Sequence, residues 1–204
     1  MRYVALGDSY TIGTSAEEEE RWPNQLVARL ADAEDAPELA GNLGINGHTS
    51  GDVIRDELPR LERLRPELVS LQIGVNDVVQ AVPDERYGAN VSLILDSMLR
   101  QVSAQRAFAV ATPDYTLTPQ GAAFGLPELQ SAGILHVNEI LRGACELRGI
   151  AFVPDILEIS RDAGEDPAMV ASDGLHPSGA QYALWVDAIA PGVRRLLALP
   201  SEDR

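Results

Sequence analysis

The chain contains no lysine: all 16 of its basic residues are arginine, set against 31 acidic ones, and the formal net charge is −15. Without lysine there is no Schiff-base chemistry on the protein and no lysine-based phosphate loop. A field of that sign repels phosphate backbones and anionic lipid headgroups, which counts against nucleic acid as a partner. Cys145 is the single cysteine, so an intrachain disulfide and a cysteine-based metal site are excluded. The three histidines are scattered without ligand spacing, and no metal is expected. No apolar run approaches the roughly 18 residues of a membrane span. The opening Met-Arg-Tyr-Val-Ala-Leu-Gly has an apolar run of about four residues, where a signal peptide needs roughly 7–15. The sequence therefore predicts a soluble, cytoplasmic protein without an integral membrane segment.

What is present suits one well-buried core. The 204 residues are 45% hydrophobic, with glycine and proline spread throughout, and predict a single domain over 1–204. Short apolar runs at Tyr3–Leu6, Leu39–Leu43, Leu68–Ile73, Ala107–Ala111 and Ile150–Val153 read as strands. Segments of helical period separate them. The clearest places Val91, Ile94, Leu95, Met98 and Val102 on one face. Others run from about Trp22 to Leu30, Val53 to Leu64, Ile134 to Leu147 and Ala180 to Leu197. Strands alternating with helices predict an α/β fold: a three-layer α/β/α sandwich around a five-stranded parallel sheet, flavodoxin-like in its layers. In such sheets ligands bind outside the carboxyl ends of the strands, which directs attention to the residues just after Leu6, Leu43, Ile73, Ala111 and Val153. The aperiodic segment Thr112–Pro127 holds three of the 13 prolines and reads as a loop beside that site. Glu17–Glu20 reads as a solvated surface turn.

Four motifs follow at these positions. Strand one ends in Gly7-Asp8-Ser9-Tyr10, where a serine at a tight turn serves either as an exposed nucleophile or as a helix N-cap. After strand two comes Asn42-Leu43-Gly44-Ile45-Asn46-Gly47-His48, where a glycine either brings a backbone amide close to a ligand or simply permits a turn. Strand three ends in Gly74-Val75-Asn76-Asp77; the Asn76 amide can donate to a developing alkoxide or cap a helix. Near the C-terminus lies Asp173-Gly174-Leu175-His176-Pro177. An acid three residues before a histidine can reach Nδ1, fix the tautomer and leave Nε2 to take a serine proton. Pro177 is expected in the first turn of the helix that follows.

With these motifs in this order, the chain resembles the SGNH hydrolases, also called GDSL-type esterases and lipases, over almost its whole length. The four name residues map onto Ser9, Gly47, Asn76 and His176, and Trp22-Pro23 with Leu26 and Leu30 looks like that family's first helix. The resemblance implies a serine esterase acting on a small-molecule, short-chain ester. Ser9 would be the nucleophile, His176 the general base and Asp173 its orienting acid. The Ser9 and Gly47 backbone amides and the Asn76 side chain would hold the oxyanion. It implies no metal and no cofactor. Acyl transfer, lysophospholipase or thioesterase activity would use the same residues, and a non-catalytic binding module could keep the fold. Tyr10 stands where the family's nickname has leucine, a difference that bears on pocket shape.

The remaining candidates read as supporting residues. His48 is expected to be a solvent-facing loop histidine, and His136 structural or exposed. Asp8 and Asp77 should hold loops through backbone hydrogen bonds. Asp155 is a candidate wall residue. Cys145 reads as a buried inert thiol, and Trp185 with Leu184, Ile189 and Leu196 as the packed face of the last helix.

Overall fold

The apolar runs become five parallel strands: β1 (Arg2–Gly7), β2 (Glu38–Asn42), β3 (Leu68–Gln72), β4 (Ala107–Val110) and β5 (Ala151–Val153). The structure, a computed structural model, describes residues 1–163 and 166–198; the last six residues of the expected domain lie outside them. The second strand begins and ends one residue earlier than the apolar pattern implies. The sheet order is β2-β1-β3-β4-β5.

That order dictates the layers. Crossovers between parallel strands are right-handed, so a reversal in winding direction sends the following helices to the opposite face. The chain passes from β1 to β2 through α2 (Trp22–Arg29), then reverses and winds through β3, β4 and β5. The connections after the reversal carry α4 (Leu58–Leu64), α6 (Asp84–Gln101) and α7 (Pro127–Glu146), which share one core with Val4, Leu6, Val69, Leu71, Ala107 and Ala109. The alternate residues Tyr3, Ala5, Leu68, Phe108 and Val110 face a second core. There α2 packs against α9 (Gly179–Leu197), with α8 (Ile156–Ala163) alongside. The result is a three-layer α/β/α sandwich.

Helix α2 shows how the sequence anchors a layer. Pro23 sits in its first turn, where the missing N–H has no intrahelical role. Trp22, Leu26 and Leu30 follow a spacing of four and are fully buried. Each such side chain contributes about 1.5–3 kcal/mol of burial. The Trp22 indole N–H also donates to Gln72 Oε1 at 3.1 Å, and Gln72 Nε2 donates to the Ala111 carbonyl at 3.0 Å. One buried amide thus ties α2 to the ends of β3 and β4.

Several elements differ from the sequence reading. The helix expected over Val53–Leu64 is a rod of three parts: α3 (Ser50–Asp52), a π-helical turn (Val53–Glu57) and α4. Helix α7 begins at Pro127, seven residues before Ile134, because its first turns carry the exposed Leu129 and so lack a one-sided pattern. The short helices α5 (Val75–Val79) and α8 are additional. Pro177 lies outside α9, in an isolated bridge with Val170, and Ser178 caps the helix by accepting from the Gln181 amide at 3.4 Å. On α9 Trp185 and Ile189 are buried as expected, but Leu184 is 41% exposed, one residue off the packed face. No helix among the described residues is long and apolar enough to cross a membrane.

Cys145 is fully enclosed in the first core, and burial pushes its thiol up to about 12. The thiolate is the reactive form. A colourless-to-yellow disulfide reagent at pH 8 is therefore expected to leave the native protein unmodified over an hour and to titrate one thiol after unfolding in guanidinium. Rapid reaction of the native protein would contradict this enclosure.

Candidate active site

The reversal of strand order opens a crevice between the carboxyl ends of β1 and β3, and three sequence-predicted residues meet there. Ser9, Asn76 and His176 line one cleft of about 100 Å³, together with Tyr10, Asn46, Val75, Val79, Tyr115, Phe124 and Leu175.

Ser9 is the first residue of the short helix α1 (Ser9–Ile12). It is not the cap: Asp8 fills that position, its Oδ1 accepting from the Tyr10 amide at 2.9 Å. Ser9 therefore has its hydroxyl free of capping duty, and among the described residues no group accepts from its backbone N–H. Unpaired amides at a helix start face outward as donors. Asp8 itself is 1% exposed. Burial, reinforced by the charge of Asp77 and opposed by the Tyr10 amide, pushes it up to about 7.

The loop after β2 turns at Ile45–His48, where the His48 amide donates to the Ile45 carbonyl at 3.2 Å. Gly47 occupies the third position with φ +83°, the left-handed geometry that a type II turn requires and glycine adopts without strain. Its Cβ position is open space, so backbone geometry rather than crowding calls for glycine here. Gly47 is exposed beside Asn46, and Asn46 is the one that lines the cleft. Among the described residues the Gly47 N–H has no acceptor.

Asn76 sits in the first turn of α5, and its Nδ2 donates to the His48 carbonyl at 2.9 Å. An amide nitrogen carries two N–H bonds, so a second remains for the cleft. The preceding Gly74 has φ +140°, and a Cβ there would lie 2.9 Å from the Tyr87 hydroxyl. Asp77 is buried and accepts from both the Ser50 amide (2.9 Å) and hydroxyl (2.6 Å), locking α5 to α3. Asp8 and Asp77 thus hold loops as the sequence suggested.

His176 is 6% exposed. Its Nδ1 lies 2.6 Å from Asp173 Oδ2. The same carboxylate accepts from the Leu175 and His176 amides at 2.9 and 3.0 Å and from the Ser15 hydroxyl at 2.7 Å. Burial would raise this acid, but the four bonds outweigh it and hold Asp173 well below the ordinary carboxylate range. An ionised carboxylate only accepts, so Nδ1 carries the imidazole proton and Nε2 is left as a base. The loop is closed across its base by the Ala171 amide on the His176 carbonyl at 2.7 Å. Tyr10 supports the imidazole, its ring centroid 5.2 Å away, and rests in turn on Trp185 at 6.3 Å.

The apolar wall comes from the segment after β4. Buried Asp114 accepts from the Ser131 hydroxyl (2.5 Å), Arg161 Nε (3.0 Å) and the Thr116 amide (3.1 Å), which anchors Tyr115 beside it. The Tyr115 hydroxyl donates to Gln130 Oε1 at 2.7 Å, and its ring meets Phe124 edge-on at 5.6 Å.

Two expectations fail here. His48 is 8% exposed rather than solvent-facing, because its Nδ1 pairs with the buried Glu57 Oε1 at 2.9 Å. Asp155 is exposed and does not line the cleft. His136 is half-exposed, 3.0 Å from Asp84. Among the described residues no group of three or more His, Cys, Asp or Glu could hold a metal ion. The Glu17–Glu20 turn is exposed.

The chain matches the model of the GDSL-like Lipase/Acylhydrolase family over residues 5–184. An arylesterase of Vibrio mimicus is 33% identical over 113 residues, covering 51% of this chain and 54% of that protein. The chain thus spans about half the length of that relative. Among solved structures, TesA is similar at TM-score 0.73 and 20% identity, covering 96% of this chain and 99% of that one. An acetyl xylan esterase of Geobacillus stearothermophilus is similar at TM-score 0.72 and 18% identity, covering 100% and 97%.

The substitution Gly74→Ala places a side chain against Tyr87 in a backbone region that L residues rarely adopt. It is expected to lower stability by about 1–3 kcal/mol, read as the shift of the urea unfolding midpoint. An unchanged midpoint would show that this turn relaxes freely.

Proposed function

The chain belongs to the GDSL-like lipase/acylhydrolase family, and on that premise we propose that it is a serine carboxylic-ester hydrolase with Ser9 as nucleophile, His176 as general base and Asp173 as the acid that orients it. The observation that carries this reading is the 2.6 Å bond between Asp173 and His176 Nδ1, made by a histidine that shares one cleft with Ser9 and Asn76. The arylesterase relative and the acetyl xylan esterase structure lend support for esters as the substrate class.

In the proposed reaction the Ser9 hydroxyl attacks the ester carbonyl as His176 Nε2 takes its proton. The carbonyl oxygen becomes an oxyanion, received by the Ser9 and Gly47 N–H groups and the free N–H of Asn76. Ionised Asp173 stabilises the imidazolium. The tetrahedral intermediate collapses, the C–O bond to the alcohol breaks, and His176 returns its proton to the leaving oxygen. Water then repeats the cycle on the acyl-Ser9 ester, releasing the acid. No metal or cofactor is required by these steps.

The cleft suggests the acyl group. It is small, with a volume of about 100 Å³. Val75, Val79, Tyr115, Phe124 and Leu175 give it an apolar lining. A short aliphatic acyl chain fits that space.

Ser9→Ala is expected to abolish turnover of p-nitrophenyl acetate while leaving the circular dichroism spectrum unchanged, and full activity in that variant would refute the assignment. Asp173→Asn should lower kcat by about 10⁴ and Asn76→Ala by about 10²–10³. Across p-nitrophenyl esters of increasing acyl length, kcat/KM should peak at about two to four carbons, given so small an apolar cleft. A maximum at eight carbons or more would sink the short-chain reading.

A further inference from the structure

Glu57 is fully buried, a costly place for a carboxyl group unless it is paired or neutral. It closes the π-helical turn Val53–Glu57, in which the Leu58 amide reaches back to the Val53 carbonyl. The wider turn has a local cause: Pro59 lacks the N–H that an α-helix would direct to the Arg55 carbonyl.

The two oxygens of Glu57 go to different segments, the end of β1 and the loop after β2. Oε2 accepts from the Gly7 amide at 2.9 Å, two residues before Ser9. Oε1 lies 2.9 Å from His48 Nδ1. The His48 amide closes the turn that presents Gly47, and the His48 carbonyl holds Asn76 Nδ2. From this one carboxyl group, short chains of bonds lead to every N–H that the proposed reaction directs at the oxyanion.

We propose that Glu57 is a positioning residue for ester hydrolysis, fixing the distance between the nucleophile turn and the Gly47–Asn76 side of the oxyanion site through Gly7 and His48. The inference rests on the reading of Ser9, Gly47 and Asn76 given above. Burial pushes Glu57 up to about 9, against the pull of the Gly7 amide, and pushes His48 down. Both directions leave the pair uncharged at neutral pH. The carboxyl then accepts from Gly7 through one oxygen and donates its O–H to His48 Nδ1 through the other, while His48 Nε2–H faces Asp56 at 3.7 Å. Glutamine presents the same pattern, one acceptor and one donor in the same shape.

That equivalence supplies the test. Glu57→Gln should keep kcat for p-nitrophenyl acetate within about threefold of the parent, whereas Glu57→Leu, of similar bulk but without polar atoms, should lower kcat by about 10–100-fold with KM little changed. His48→Ala, which spares the Glu57–Gly7 bond, should lower kcat by about tenfold, and it serves where the leucine variant does not fold. Thermal midpoints recorded in parallel identify the folded fraction. Parent kcat in folded Glu57→Leu or in His48→Ala, or equal damage in the glutamine and leucine variants, would overturn the proposal. Ser9→Ala assayed beside them separates the two readings: activity in that variant removes the hydrolytic assignment itself, while its loss alongside unaffected Glu57 and His48 variants removes only the positioning role.

Discussion

Right-handed winding permits a parallel sheet to reverse direction only by parting two neighbouring connections, and in this chain that parting falls between β1 and β3. The loops leaving those strands must diverge to opposite faces, so a crevice opens where they separate. Every residue of the candidate site depends on that divergence. Ser9 follows β1, Asn76 follows β3, and Asn46 from the loop after β2 lines the same cleft. His176 arrives last, from the loop before α9, on the face that α2 and α9 occupy together. The chemistry belongs to the side chains, but their meeting point is set by topology.

Holding them there is a matter of polar accounting under the cleft floor. Asp173 is below its ordinary range only because four donors outweigh its burial, and one of them, Ser15, comes from the loop after α1. Asp77 clamps α5 to α3, and Gln72 ties α2 to β4. Buried polar groups of this kind cost stability when left half-satisfied. Three acids, Asp8, Glu57 and Asp77, are all pushed upward by burial close to the turn that carries Ser9. Burial thereby disfavours the charged form of all three, in a protein whose formal net charge is −15.

The strands were legible because parallel strands buried on both faces read as continuous apolar runs, and the glycine and proline punctuation bounded them to within about one residue. The Asp173–His176 pair was legible for a different reason: three residues of separation make the contact local, so the motif carries its own geometry. Glu57 was hidden. In the sequence it ends Arg55-Asp56-Glu57, a charged stretch that resembles a solvated helix face, and only the π-helical turn rotates it inward toward Gly7, fifty residues away. His48 reads as solvent-facing for the same reason, since nothing near it in the sequence points to its buried partner. The start of α7 escaped because Leu126 and Leu129 are exposed apolar residues, which blur the amphipathic period from which helix ends are judged.

The segment bearing Tyr115 and Phe124 does more than form a wall. Between them the Gln120 amide donates to the Gly174 carbonyl at 2.9 Å, inside the same short loop that holds Asp173 and His176. On the proposed reading of the site, that contact would join substrate scope to turnover. Remodelling the segment to admit a bulkier acyl group would remove a brace from the imidazole's own loop, so that a broadened specificity would arrive together with a looser base. A lineage or an engineer seeking the first without the second would have to replace that amide contact before touching the wall.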